Sequence, residues 1–133
     1  MIIETDTDRN KAKSLTEMAK ITLERLRETD KLKYPSNTLT DYYDIVRELM
    51  EALNALEGIK IKGDVAHLKM ILGICEKYNF GEGTKQFIQD LRDYRNRISY
   101  EGFNVKEEFI KSNAPRIEKI ISLLFKLVSD RLR

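Results

Sequence analysis

The sequence predicts an all-α fold, an antiparallel bundle of about five helices, and three observations carry that prediction. Apolar side chains recur at three- and four-residue intervals in five separate segments. Charged residues make up 35% and hydrophobic ones 41% of the chain, the balance of amphipathic helices. With 6 Gly and 2 Pro in 133 residues, the turn density of a β protein is missing. Residues 1–133 suffice for one core and not for two, so a single domain is expected.

The first helix follows from Leu15, Met18, Ala19, Thr22 and Leu26, which share one face, and it ends near Thr29. Lys33-Tyr34-Pro35-Ser36-Asn37 reads as a breaker, because proline pushes the residue before it out of helical geometry. The second helix is expected to start between Thr38 and Thr40, where a hydroxyl can cap free amides and Asp41 and Asp44 favour the positive helix end. Its buried stripe is Tyr42, Ile45, Val46, Leu49, Leu53 and Leu56, and Gly58 stops it. Ile59-Lys60-Ile61-Lys62 alternates like a strand but lacks a neighbouring partner, so it is read as a connecting loop.

Asp64 is expected to cap a third helix carrying Val65, Leu68, Met70, Ile71, Leu72, Ile74 and Cys75, broad enough in its apolar face to sit centrally. Thr84 is the expected cap of the fourth, whose stripe is Phe87, Ile88, Leu91, Tyr94 and Ile98 and whose end is Gly102. From Val105 onward, Phe109, Ile110, Ile117, Ile120, Ile121, Leu124 and Leu127 build a last amphipathic region. Pro115 lacks an amide hydrogen and collides with the carbonyl of Lys111, so a kink or break is expected near Ser112-Asn113-Ala114.

Composition narrows the function classes. A net charge of +2 gives little overall drive toward nucleic acid, so any such binding must come from local clustering. The lone Cys75 in an apolar run reads as a buried inert thiol and fits a reducing compartment. Met1-Ile2-Ile3-Glu4-Thr5-Asp6 lacks the basic head and apolar stretch of a secretory signal, and no uncharged span of bilayer length follows; a cytoplasmic protein with no membrane partner is expected.

His67, the only histidine, rules out a multi-histidine metal cluster, and a local bond near Asp64 is its expected role. No metal and no cofactor are expected. Gly81-Glu82-Gly83-Thr84-Lys85 reads as a helix-initiating turn, since the spacing of a phosphate loop is absent. Tyr34, Tyr42 and Tyr43 have rings that stack on bases, yet tyrosines near helix starts more often bridge core and water, and they are assigned no site role.

The densest polar segment is Leu91-Arg92-Asp93-Tyr94-Arg95-Asn96-Arg97-Ile98-Ser99-Tyr100-Glu101-Gly102-Phe103, three arginines and four neutral polar side chains at the end of a helix. An Arg-Asn pair followed by a ring residue and a glycine resembles the signature of HEPN domains, small helical bundles that often act as RNases. The run Asp41 to Gly58 looks like that family's second helix, and Gly63-Asp64-Val65-Ala66-His67-Leu68 like the start of its third, so the likeness extends over roughly residues 10 to 130. The family's active form reads Arg, four to six residues, then His; here Tyr100 stands where that His would be.

The resemblance implies a homodimer in which two copies of the motif line one groove, and RNA or nucleotide phosphate as ligand. It also implies metal-independent RNA cleavage in active members, with the Arg stabilising charge on the phosphorane and the His assisting the ribose 2′-hydroxyl. Some members are toxins paired with a minimal nucleotidyltransferase antitoxin that modifies a tyrosine two places beyond the His; here that place is Gly102. On this likeness Arg95 and Tyr100 are the catalytic candidates, and Arg92, Asn96, Arg97 and Ser99 the RNA- or phosphate-binding ones.

Residue chemistry supports half of that set. A guanidinium stays charged and grips phosphate oxygens with two hydrogen bonds, whereas a phenol is a weak base at neutral pH. Arg95 and Tyr100 lie about 140° apart on an unbroken helix, so they meet only if the helix frays before Gly102 or a second chain completes the site. Asn96 and Ser99 equally suit helix-end hydrogen bonding, and the arginines equally suit pairing with Asp90, Asp93 or Glu101. Three readings follow: a binding protein with a degenerate motif, an active endoribonuclease using Arg95 and Tyr100, and a non-catalytic oligomerisation scaffold.

Overall fold

The computed structural model describes residues 1–63 and 65–133. In chain order these form β1 (Ile2–Glu4), α1 (Arg9–Arg27), α2 (Pro35–Glu57), β2 (Ile59–Ile61), α3 (Ala66–Lys77), α4 (Glu82–Glu101) and α5 (Glu107–Leu132). The expected all-α bundle of five helices is the observed architecture. Asp64, the expected cap of α3, lies outside the described residues; among those described, the residue before α3 is Val65, which makes no side-chain cap bond.

The central helix is α2, not α3 as its broad apolar face suggests. Of the 23 residues of α2, 14 are buried, and it packs on α1, α3, α4 and α5. In α3 only Met70, Ile71, Ile74 and Cys75 are buried, while Leu72 is left at the surface. Burial pushes the Cys75 thiol up to about 11, as an inert core thiol requires.

Helix starts depart from expectation in two places. Pro35 opens α2 at its first turn, where a missing amide hydrogen costs nothing, so the expected breaker contains the helix start. The Thr38 hydroxyl donates to the Lys31 carbonyl at 2.6 Å rather than capping. α4 begins at Glu82 behind Gly81 (φ 86°), two residues before Thr84. α1 is capped by the Asp8 carboxylate, which accepts from the Lys11 amide at 2.9 Å.

Pro115 does not break α5, which runs on through it. The carbonyl deprived by Pro115 belongs to Lys111, at the surface, where water can serve it. Two residues earlier, the Asn113 side-chain amide donates to the Phe109 carbonyl at 2.9 Å.

Ile59–Ile61 is a strand, contrary to its reading as a loop. Its partner is β1, antiparallel, with Ile2 opposite Ile61 and Glu4 opposite Ile59. The Thr5 amide then donates to Gly58 O at 2.6 Å and the Asp8 amide to Ala55 O at 2.8 Å, stitching the leading segment to the end of α2. Where the ends of α2, α3 and α5 meet, Glu57, only 4% exposed at its side chain, receives Lys77 Nζ at 2.5 Å, Arg131 Nη1 at 3.1 Å and the Tyr78 hydroxyl. Among the described residues no helix is long and apolar enough to cross a membrane.

Gly58 and Gly102 both close helices in the left-handed region, at φ 68° and 65°. A Cβ at Gly58 would strike the Thr5 carbonyl, whereas one at Gly102 meets nothing within 4 Å. Gly102→Ala is therefore expected to cost about 1–2 kcal/mol from backbone conformation alone, and Gly58→Ala roughly 2–4 kcal/mol because the collision adds to it. Urea denaturation of both variants checks the order; equal losses would refute the Thr5 contact.

Burial works to raise the Glu57 pKa, but the hydrogen bonds from Lys77 and Tyr78, with the charges of Lys77 and Arg131, outweigh it and hold the carboxyl below its ordinary 4.5. Its stabilising contribution is complete above that value and is lost as pH falls through the lowered one. Glu57→Gln should cost about 1–3 kcal/mol at pH 7, and the difference from wild type should shrink on acidification below pH 4.5, as thermal melts across pH 3–7 would read out.

Candidate functional site

α4 stays helical through Glu101 and closes at Gly102, where the amides of Gly102 and Phe103 both bond the Arg97 carbonyl. Without fraying, each residue turns roughly 100° from the last, so the polar segment is dealt onto three faces. Arg92, Arg95 and Ser99 fall on the edge beside α2. Asn96, Asp93 and Tyr100 fall on the outward crest, and Asp90, Tyr94, Arg97 and Glu101 on the edge that includes the Phe103 side.

Tyr100 is 83% exposed and about 140° around the helix from Arg95, so the two expected catalytic groups do not share a site within one chain. Arg97 is diverted as well. Its guanidinium lies 4.1 Å from the Phe103 ring centre, and its Nε is 3.5 Å from Glu101. Phe103 stacks on Tyr94, whose ring meets Phe109 of α5 edge-on at 5.0 Å. Arg97 thus closes an aromatic cluster, and with Asn96 it borders a shallow depression that also contains Asp90 and Asp93.

The remaining edge gathers more than the sequence groups together. Arg95 Nη1 donates to Ser99 Oγ at 2.5 Å, and its Nε lies 3.9 Å from Asp44 Oδ1 on α2. The same Asp44 oxygen is 3.9 Å from Arg47 Nε, and Arg47 Nη1 donates to Glu51 at 3.0 Å. Glu51 also faces His67 Nε2 at 3.4 Å. Arg92, mostly covered, lies 3.7 Å from Asp93. A polar seam therefore runs from Ser99 on α4 across α2 to His67 on α3. Among the described residues His67 pairs with Glu51, one helix away, while its expected bond near Asp64 lies outside them.

Beneath the seam lies Tyr43, 2% exposed, whose hydroxyl has no hydrogen-bond partner among the described residues. Burial raises its pKa to about 12 while the charges of Arg92, Arg47 and Arg95 pull the other way. Asp44 is also raised, first by burial, despite its two arginine neighbours. Its ion pairs are accordingly loose. Burial, together with the same three arginines, outweighs Glu51 and keeps His67 below its ordinary 6.5, so its imidazole is neutral at pH 7. Arg47, Tyr43 and His67 are the seam residues that the linear reading leaves out; only packing of α2 and α3 on α4 reveals them.

Two of the expected tyrosines, Tyr42 and Tyr43, are buried, and the Tyr42 hydroxyl lies 3.2 Å from Glu118 Oε2. Neither ring is available to stack on a base. Among the described residues no three His, Cys, Asp or Glu side chains converge in a way that could hold a metal ion.

No protein-family model, no curated protein and no solved structure matches the chain.

An unpartnered buried hydroxyl costs free energy that a methine-edged ring does not. Tyr43→Phe should leave stability unchanged or raise it by up to about 1 kcal/mol. A loss above that size in chemical denaturation would mean that the hydroxyl has a partner.

Proposed function

We propose that this chain binds RNA or nucleotide phosphate through the α2–α4 seam, as a HEPN-like homodimer whose catalytic motif has degenerated. The observation that carries the reading is that Arg47 of α2 and Arg95 of α4 meet at one Asp44 oxygen, 3.9 Å from each, with Arg92 one turn before Arg95 on the same edge of α4. Guanidinium groups offer paired donors to phosphate oxygens, and the one carboxylate that faces Arg95, Asp44, does so at 3.9 Å, too far for a close hydrogen-bonded pair. A phosphate supplying several acceptor oxygens competes well with such a contact.

Cleavage by Arg95 with Tyr100 is the weaker reading. Tyr100 points to solvent on the crest of α4, with Asp93 and Asn96. That crest is the part of the motif open to a second copy, and the proposed dimer pairs there.

Arg47, Arg92 and Arg95 are balanced one for one by Asp44, Glu48 and Glu51, so affinity should be modest and salt-dependent. In fluorescence anisotropy with single-stranded RNA, Arg95→Ala is expected to weaken binding about tenfold and to reduce the salt slope by about one, while Tyr100→Phe leaves both unchanged. Wild-type protein that shows no salt-dependent RNA binding removes the reading.

A further inference from the structure

Next to the arginine seam lies a cavity of about 490 Å³ between the Thr5–Asp8 segment, the end of α2, β2 and the start of α3. Its volume falls within the range of small-molecule sites, about 300–1,000 Å³. The two features join at Glu51 and His67. Both line the cavity; Glu51 accepts from Arg47 Nη1 at 3.0 Å and faces His67 Nε2 at 3.4 Å.

We propose that the cavity is the nucleoside half of a nucleotide site whose phosphate half is formed by Arg47, Arg92 and Arg95, and that it prefers a base presenting adjacent N–H donors, as guanine does. This rests on the phosphate reading of the seam and names the ligand class for it. Donor type sets the orientation. Three guanidinium groups stand on the seam side, where Arg95 is held by Asp44 only at 3.9 Å and is open to exchange for an oxyanion, whereas the cavity lining contains no arginine and its Asp6 and Asp8 offset Lys11 and Lys60.

The cavity chemistry suits a base edge. The Asp6 carboxylate and the Asp8 oxygen not used in capping accept from ring and amino N–H groups, and a single carboxylate can take two parallel N–H bonds from guanine. The amide of Asn54, only 9% exposed, adds both a donor and an acceptor. Ile61 and Met70 supply apolar wall for the ring. His67 and Glu51, at the junction, meet the ribose.

The test is calorimetric titration of the intact protein with GMP, UMP and inorganic phosphate. GMP is expected to bind at least tenfold tighter than either of the others. Ala66→Phe, which pushes a ring into the cavity from the first residue of α3, should bring GMP down to the phosphate level and leave phosphate unchanged. Equal affinities for GMP and phosphate, or for GMP and UMP, overturn the nucleoside site while the phosphate reading stands. So does a folded Ala66→Phe protein with unaltered GMP affinity. If neither phosphate nor GMP binds, the phosphate reading fails with it. A guanosine-ended RNA oligomer separates the sources: tighter binding than GMP assigns the site to RNA, equal binding assigns it to free nucleotide, and either upholds it.

Discussion

Burial of α2 on nearly every side is the constraint on which the rest of the molecule depends. A helix packed on four others has no fully solvated face, so its polar residues must lie in the grooves between neighbours. Tyr43, Asp44, Arg47, Glu48 and Glu51 all fall in this position, in the one sector that α1 and α5 leave open toward α3 and α4. Their charges are partly dehydrated there, which raises Asp44 and Glu48 through burial in spite of nearby arginines. The same dehydration makes a guanidinium–oxyanion contact stronger than it would be on an open surface.

The helices are legible in the sequence because each is written in a local period, and the closure of α4 at Gly102 is legible because a left-handed cap is a local requirement. What escapes is whatever depends on distance along the chain. Ile59-Lys60-Ile61 shows strand alternation, but its partner is Ile2–Glu4, more than fifty residues away, and no local pattern announces that pairing. The choice of α2 over α3 as the central helix is likewise a property of packing. The apolar face of α3 is broad, yet Leu72 on it remains exposed, as does Val65 just before the helix.

The polar segment of α4 shows a different kind of gap. Adjacency in sequence groups Arg92, Arg95, Asn96, Arg97, Ser99 and Tyr100, although helical rotation alone separates Arg97 and Tyr100 from Arg95. The sequence already separates Tyr100 from Arg95 on this ground, and the same rotation applied to Arg97 was within reach. Arg47 and His67 were beyond it, because nothing in Arg47-Glu48-Leu49-Met50-Glu51 or around His67 tells which helix will face them. Once α3 and α4 dock on α2, Glu51 becomes the single carboxylate that couples Arg47 to His67.

The internal carboxylates also decide how an anion could enter the seam. Three guanidinium groups with no counter-charge would repel one another and oppose folding, so Asp44 and Glu51 are needed while the seam is empty. They need not be tight partners. Glu51, at 3.0 Å from Arg47, is well placed to keep that arginine oriented. Asp44, at 3.9 Å from both Arg47 and Arg95, neutralises without gripping. An incoming oxyanion can therefore take Arg95 from Asp44 at small cost while Arg47 stays anchored. Loose pairing at one arginine and firm pairing at its neighbour is the arrangement that allows exchange without loss of the fold.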